Sequence, residues 1–135
     1  MSAMETQRSP RRKILIVDDE PELVRALTLR LTAAGYETLS ASDGLAATEM
    51  AFSCHPDLVL LDIGLPLQNG YQVAALLRKA HRTAHIPIVF LTARTWDLDK
   101  AHQVSPDGYV VKPYLPTELL DIIGRLTSGP RSLES

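Results

Sequence analysis

Cysteine and large aromatic side chains are scarce in this chain: among 135 residues there is one cysteine, one tryptophan and two phenylalanines. Cys54 alone excludes an internal disulfide, and a reducing, cytoplasmic compartment is the expectation. No apolar stretch approaches the roughly 18 residues that cross a bilayer. The richest, Leu58 to Leu67, is interrupted by Asp62, so no membrane partner is expected. The first ten residues lack the apolar segment of a signal peptide. A net charge of −2 gives no support for direct contact with nucleic acid. His55, His81, His85 and His102 lack metal-ligand spacing, and Cys54-His55 reads as packing rather than a catalytic pair. A glycine-rich turn is also missing after the first apolar run. Asp18-Asp19-Glu20-Pro21 stands there instead and would repel a pyrophosphate, which argues against a dinucleotide-binding domain.

What is present is ordinary in bulk and specific in arrangement. Apolar residues make up 45% and charged residues 22% of the chain, as in a soluble globular domain. Its length suits one domain, whose folding removes close to 70% of the exposable surface. Residues 1–12, with Arg8, Pro10, Arg11 and Arg12, show no apolar periodicity and read as a flexible basic N-terminal arm. Residues 13–127 form the domain, and 128–135 read as a C-terminal tail or a truncated linker.

Within the domain, strands and helices alternate. Apolar runs at Ile14–Val17, Leu58–Leu61, Ile86–Leu91 and Gly108–Val111 read as buried parallel strands, with Tyr36–Ala41 as a further one. Leu23, Val24, Leu27 and Leu31 give a helix over Pro21–Ala34 that Gly35 stops. Asp43 caps a helix running to about Ser53, and Val73, Ala74, Leu77 and Ala80 mark a third. A short helix is expected near Trp96–Gln103, and Pro116 opens the last one, with Leu119, Ile122, Ile123 and Leu126 inward. Five such units imply an α/β, doubly wound five-stranded parallel sheet with helices on both faces.

The carboxyl ends of parallel strands line one edge, where ligands bind. Asp18 and Asp19, Asp62, Thr92 and Lys112 all stand at such ends. Either Asp18 or Asp19 alone could be no more than a helix cap. Three carboxylates together raise one another's pKa unless a cation offsets them, and Mg²⁺ suits oxygen ligands with room for a phosphate oxygen. Pro113 marks a specific turn, since an X-Pro bond can take the cis form and aim Lys112 inward. With the Thr92 hydroxyl able to donate to a phosphoryl oxygen, these groups describe a phosphoryl-transfer site with Asp62 as nucleophile.

The runs Ile-Val-Asp18-Asp19-Glu-Pro, Leu-Leu-Asp62-Ile-Gly-Leu-Pro66, Leu-Thr92-Ala and Gly-Tyr109-Val-Val-Lys112-Pro113 resemble the receiver domain of two-component response regulators. They stand in order, with 43 residues from Asp19 to Asp62 and 30 from Asp62 to Thr92, and the likeness covers about residues 12 to 127. The resemblance implies a flavodoxin-like strand order 2-1-3-4-5. It implies that Asp62 accepts a phosphoryl group from a phosphohistidine on a sensor histidine kinase or histidine phosphotransfer protein. Asp19, Asp62 and the backbone carbonyl of Gly64 would hold Mg²⁺, with Asp18 acting mainly through water. Lys112 would pair with Asp62 and then with the phosphoryl group. Thr92 would move toward the phosphoryl oxygen, Tyr109 would swing inward, and a partner-binding surface would switch. The resemblance also implies a downstream protein partner and allows a homodimer.

The chain departs from the pattern in places. Thr92 to Lys112 is about two residues short, so the fourth helix should be short or start late. Ser105-Pro106 replaces a small Gly-Ala pair, and Leu115 stands where a capping residue is common. Gly64 offers no side chain to shield an acyl phosphate, while Arg94 could reach over it. An aspartyl phosphatase would carry a general-acid Asp where Gly64 stands, so no enzyme is expected beyond self-catalysed phosphoryl acceptance and autodephosphorylation. An interaction module without phosphorylation would not need all of Asp18, Asp19, Asp62, Thr92 and Lys112.

Overall fold

Five parallel strands follow from the apolar runs: β1 (Lys13–Val17), β2 (Glu37–Ala41), β3 (Leu58–Asp62), β4 (Ile88–Thr92) and β5 (Gly108–Val111). The computed structural model describes residues 11–65, 69–92 and 104–128. Sheet order is β2-β1-β3-β4-β5, as the flavodoxin-like resemblance implies. Four helices appear among the described residues: α1 (Pro21–Ala33), α2 (Gly44–Cys54), α3 (Gly70–Lys79) and α4 (Pro116–Thr127). The expected short helix near Trp96–Gln103, Arg94, Pro66, most of the N-terminal arm and the tail from residue 129 lie outside the described residues.

Alternate residues of each central strand face opposite helical layers. Leu15, Val17, Val59, Leu61, Ile88 and Phe90 pack with Ala47 and Ala51 of α2 and Val73 and Leu77 of α3. Ile14, Ile16, Leu58, Leu60, Val89 and Leu91 pack with Leu27 and Leu31 of α1 and Leu119 and Ile123 of α4. Burial on both faces explains why these strands read as unbroken apolar runs rather than as alternations. No helix among the described residues is long and apolar enough to cross a membrane.

Boundaries shift where local chemistry intervenes. Tyr36 is not the first residue of β2, because its N–H closes the end of α1 on the Leu31 carbonyl at 3.0 Å. Gly35 supplies the left-handed residue that this ending needs, with φ 101°. β4 begins at Ile88 rather than Ile86; Pro87 has no N–H to give to a ladder, though its carbonyl accepts from Val59. Asp43 caps α2 as expected, accepting from Ala46 N–H at 2.8 Å. Ile122 and Leu126 of α4 are only partly buried, leaving Leu119 and Ile123 as its core anchors.

Candidate functional site

The parallel register carries four of the sequence-selected side chains to one edge. Asp18 follows the last residue of β1, Asp62 is the last of β3, Thr92 the last of β4, and Lys112 follows β5. Thr92 pairs with Val111, and the Lys112 N–H donates to the Thr92 carbonyl. The Lys112–Pro113 peptide is cis.

Asp18 is buried, Asp19 exposed and Asp62 between them, and each offers an oxygen within 4.8 Å of the others. Lys112 Nζ donates to Asp18 Oδ2 at 3.1 Å and stands 3.7 Å from Asp62 Oδ2. A further carboxylate, Glu20, lies 3.6 Å from the same ammonium. Asp18 has both oxygens engaged, because Oδ1 accepts from the Glu20 N–H at 2.9 Å. It does not cap α1, whose N-cap residue is Glu20. Asp62 Oδ1 accepts from the Gly64 N–H at 3.0 Å.

The electrostatics follow from this crowding. Burial pushes the Asp62 carboxyl up from its ordinary value; the Gly64 N–H opposes the shift, Asp18 reinforces it, Lys112 opposes it and Asp19 reinforces it. For Lys112, burial acts to lower the pKa, but the hydrogen bond to Asp18 and the charges of Asp62, Asp18 and Glu20 outweigh it, so the ammonium is held. Four carboxylates, Asp18, Asp19, Glu20 and Asp62, around one ammonium leave a surplus of negative charge. Their hard oxygen donors, with an exposed Asp19 and space at the edge, fit a Mg²⁺-sized cation.

Thr92 is buried beside this cluster, one residue beyond Leu91, the register partner of Asp62. Tyr109 lies apart: it is 52% exposed on the edge strand, beside a groove lined by Val111, Ile122 and Arg125. Glu20 was not among the site residues expected from the sequence, although it extends the acidic run Asp18-Asp19. Tyr114 did too. Burial raises its phenol pKa, with Lys112 opposing and Asp18 reinforcing the shift, which puts the hydroxyl within the field of the site.

The model of the family described as response regulator receiver domain matches residues 14–124. Transcriptional regulatory protein KdpE of Mycobacterium tuberculosis is 42% identical over 109 residues, covering 79% of this chain and 47% of that protein. DNA-binding response regulator MtrA of Mycolicibacterium smegmatis is 41% identical over 112 residues, covering 82% and 48%. The chain thus spans about half the length of these curated relatives. Among solved structures, chemotaxis protein CheY4 of Vibrio cholerae superposes with a TM-score of 0.80 at 29% identity, covering 85% of this chain and 98% of that one. The receiver domain of a Pseudomonas aeruginosa sensor histidine kinase, with magnesium coordinated in its active-site cleft, gives 0.81 at 28% identity, covering 87% and 98%.

Proposed function

Since the chain belongs to the response regulator receiver domain family of two-component systems, we propose that Asp62 is its phosphoacceptor. The observation that carries this is the position of the Asp62 carboxylate, with Oδ1 on the Gly64 N–H and Oδ2 facing Lys112 inside an acidic cluster. In the transfer, a carboxylate oxygen of Asp62 forms a bond to phosphorus as the phosphorus–nitrogen bond of a phosphohistidine breaks. The bonding pair returns to the imidazole, and the aspartate becomes an acyl phosphate. The partner in this step is a sensor histidine kinase or a histidine phosphotransfer protein, and the setting is cytoplasmic.

Asp19, Asp62 and the Gly64 carbonyl would hold Mg²⁺, with Asp18 acting mainly through water. The metal supplies charge neutralisation for the transferring group. Magnesium in the cleft of the Pseudomonas neighbour supports this assignment. Asp18 is buried and already gives one oxygen to the Glu20 N–H and the other to Lys112, which favours the exposed Asp19 over Asp18 as a direct ligand. Lys112 stands close enough to both Asp18 and Asp62 to follow the new charge when it appears on Asp62. Thr92 and Tyr109 would relay that charge, the first by donating to the phosphoryl group and the second by leaving its exposed position. A charge that stabilises one of two packings in this way acts as a population switch. Slow loss of the phosphoryl group to water resets it. The match is to a signalling switch rather than to an enzyme family.

The test mixes the chain with Mg²⁺ and acetyl phosphate and follows intact mass. A Mg²⁺-dependent phosphoryl adduct on the wild type and none on Asp62→Asn is the expected result. No adduct on the wild type, or an equal one on the variant, overturns the reading.

A further inference from the structure

Gly70 opens α3 directly behind the strand end that carries Asp62. A Cβ at this position would lie 2.6 Å from the Asp62 carbonyl oxygen, 2.7 Å from Ile63 Cα and 3.2 Å from the Asp62 carbonyl carbon. All three are backbone atoms, so no side-chain rotation relieves the overlap, and helix and strand end would have to part by most of an ångström. The Gly70 N–H also donates to the Ile63 carbonyl at 2.9 Å, while the Ile63 N–H donates to the Leu91 carbonyl at 3.1 Å. Ile63, the residue after Asp62, is therefore held by its N–H to β4 on one side and by its carbonyl to the first turn of α3 on the other. A capping box secures that turn: Asn69 accepts from the Gln72 N–H, and the Gln72 side chain accepts from the Asn69 N–H, both at 3.0 Å.

We propose that Gly70 is a positioning residue for phosphoryl acceptance. Lacking a side chain, it seats α3 against the Asp62–Ile63 peptide and so fixes the Asp62 carboxylate relative to Lys112, Asp18 and Asp19. The inference rests on Asp62 being the acceptor. Transfer of a phosphoryl group depends on the attacking oxygen being in line, and a displacement of about 1 Å can cost on the order of 100-fold in rate. A glycine kept only for folding would affect how much protein is native, not how fast each native molecule reacts.

The experiment measures phosphorylation rate at saturating acetyl phosphate and Mg²⁺, per folded molecule, in the full chain. Gly70→Ala is expected to be slower by about tenfold or more, and Asn69→Ala, which loosens the same turn without adding an atom, by about threefold. Arg78→Ala, which weakens the fold at the opposite edge of the sheet, should keep the wild-type rate. If Gly70→Ala does not fold, Asn69→Ala against Arg78→Ala decides the matter. Wild-type rates for Gly70→Ala and Asn69→Ala, or an equal slowing in Arg78→Ala, overturn the role of Gly70. A wild type that takes no phosphoryl group overturns the reading of Asp62 instead.

Discussion

Lys112 Nζ stands nearer to Asp18 Oδ2, at 3.1 Å, than to Asp62 Oδ2, at 3.7 Å. Before phosphorylation the lysine is thus shared between the acceptor and the carboxylate behind it, and Glu20 draws on the same ammonium from 3.6 Å. A divalent cation at this edge and the ammonium neutralise the same oxygens. They compete, although both serve the transferring group.

Removing that competitor should tighten metal binding. Two unit charges about 4 Å apart interact by about 1 kcal/mol even at the dielectric of water, so roughly fivefold in affinity is a floor for a divalent ion. Lys112→Ala is therefore expected to bind Mg²⁺ at least about fivefold more tightly while accepting a phosphoryl group at least about tenfold more slowly. Calorimetric titration with Mg²⁺ and the acetyl phosphate assay read the two effects separately. Weaker Mg²⁺ binding in the variant would contradict the shared-carboxylate account.

A second expectation concerns pH. Burial raises the Asp62 carboxyl above its ordinary value, with Asp18 and Asp19 adding to the shift against Gly64 and Lys112. A group raised by folding lends stability below its unfolded pKa and loses that contribution as pH rises through the folded value. Metal-free protein should accordingly give up stability between the ordinary carboxylate range and neutrality, and Mg²⁺ should restore it. Asp62→Asn removes the like-charge crowding and is expected to be about 1 kcal/mol more stable than wild type at neutral pH without metal. Urea unfolding with and without Mg²⁺, near pH 4 and near pH 7, checks this. Equal metal-free stabilities at neutral pH would refute it.

The opposite edge of the sheet depends on Arg78. Its guanidinium donates to the carbonyls of Val104, Ala84, Ile86 and Ser105 and to Asp107 Oδ2, at 2.7 to 3.2 Å. Asp107 in turn accepts from the Ile88 N–H at 2.8 Å. One side chain therefore joins the end of α3, the loop before β4 and the approach to β5. Arg78→Ala should cost about 3 kcal/mol by leaving several carbonyls and a carboxylate without their donor. Arg78→Lys should recover little of this, since a single ammonium cannot span the fork. Denaturant unfolding of the two variants measures both statements.

What could be read from the sequence and what could not divide on physical lines. Strands buried on both faces announce themselves, because every residue from Ile14 to Val17 or from Leu58 to Leu61 must be apolar. The residue at which each run turns polar then marks the ligand edge, and so Asp18, Asp62, Thr92 and Lys112 were legible together. The cap at Asp43 was legible because it acts within one turn. Nothing in the sequence marks Arg78, since its partners lie up to 29 residues away. Gly70 carries no sequence signal of its role, because the backbone it meets is brought there only by the fold. The start of β4 moved for a local reason, the missing N–H of Pro87, that an apolar count does not register. Glu20 was legible only as part of the acidic turn, because its approach to Lys112 is made across the strand ends by the fold.

The start of α4 offers the last test. Leu115 occupies its N-cap position, is 67% exposed and makes no side-chain hydrogen bond to the first turn. Its extended backbone, with φ −85° and ψ 137°, is the conformation a capping residue adopts. Pro116 already supplies the preferred first helical residue, and its missing N–H leaves no unmet donor there. An oxygen at position 115 could accept from an N–H of the first turn and would favour the positive end of the helix. Leu115→Asp is therefore expected to raise stability by about 1 kcal/mol. Leu115→Ala, which removes the same exposed side chain without supplying an acceptor, should not. Thermal unfolding of both variants separates a true cap from the simple loss of a leucine. Equal midpoints for the two would show that Pro116 and the Leu119 anchor already secure the helix start.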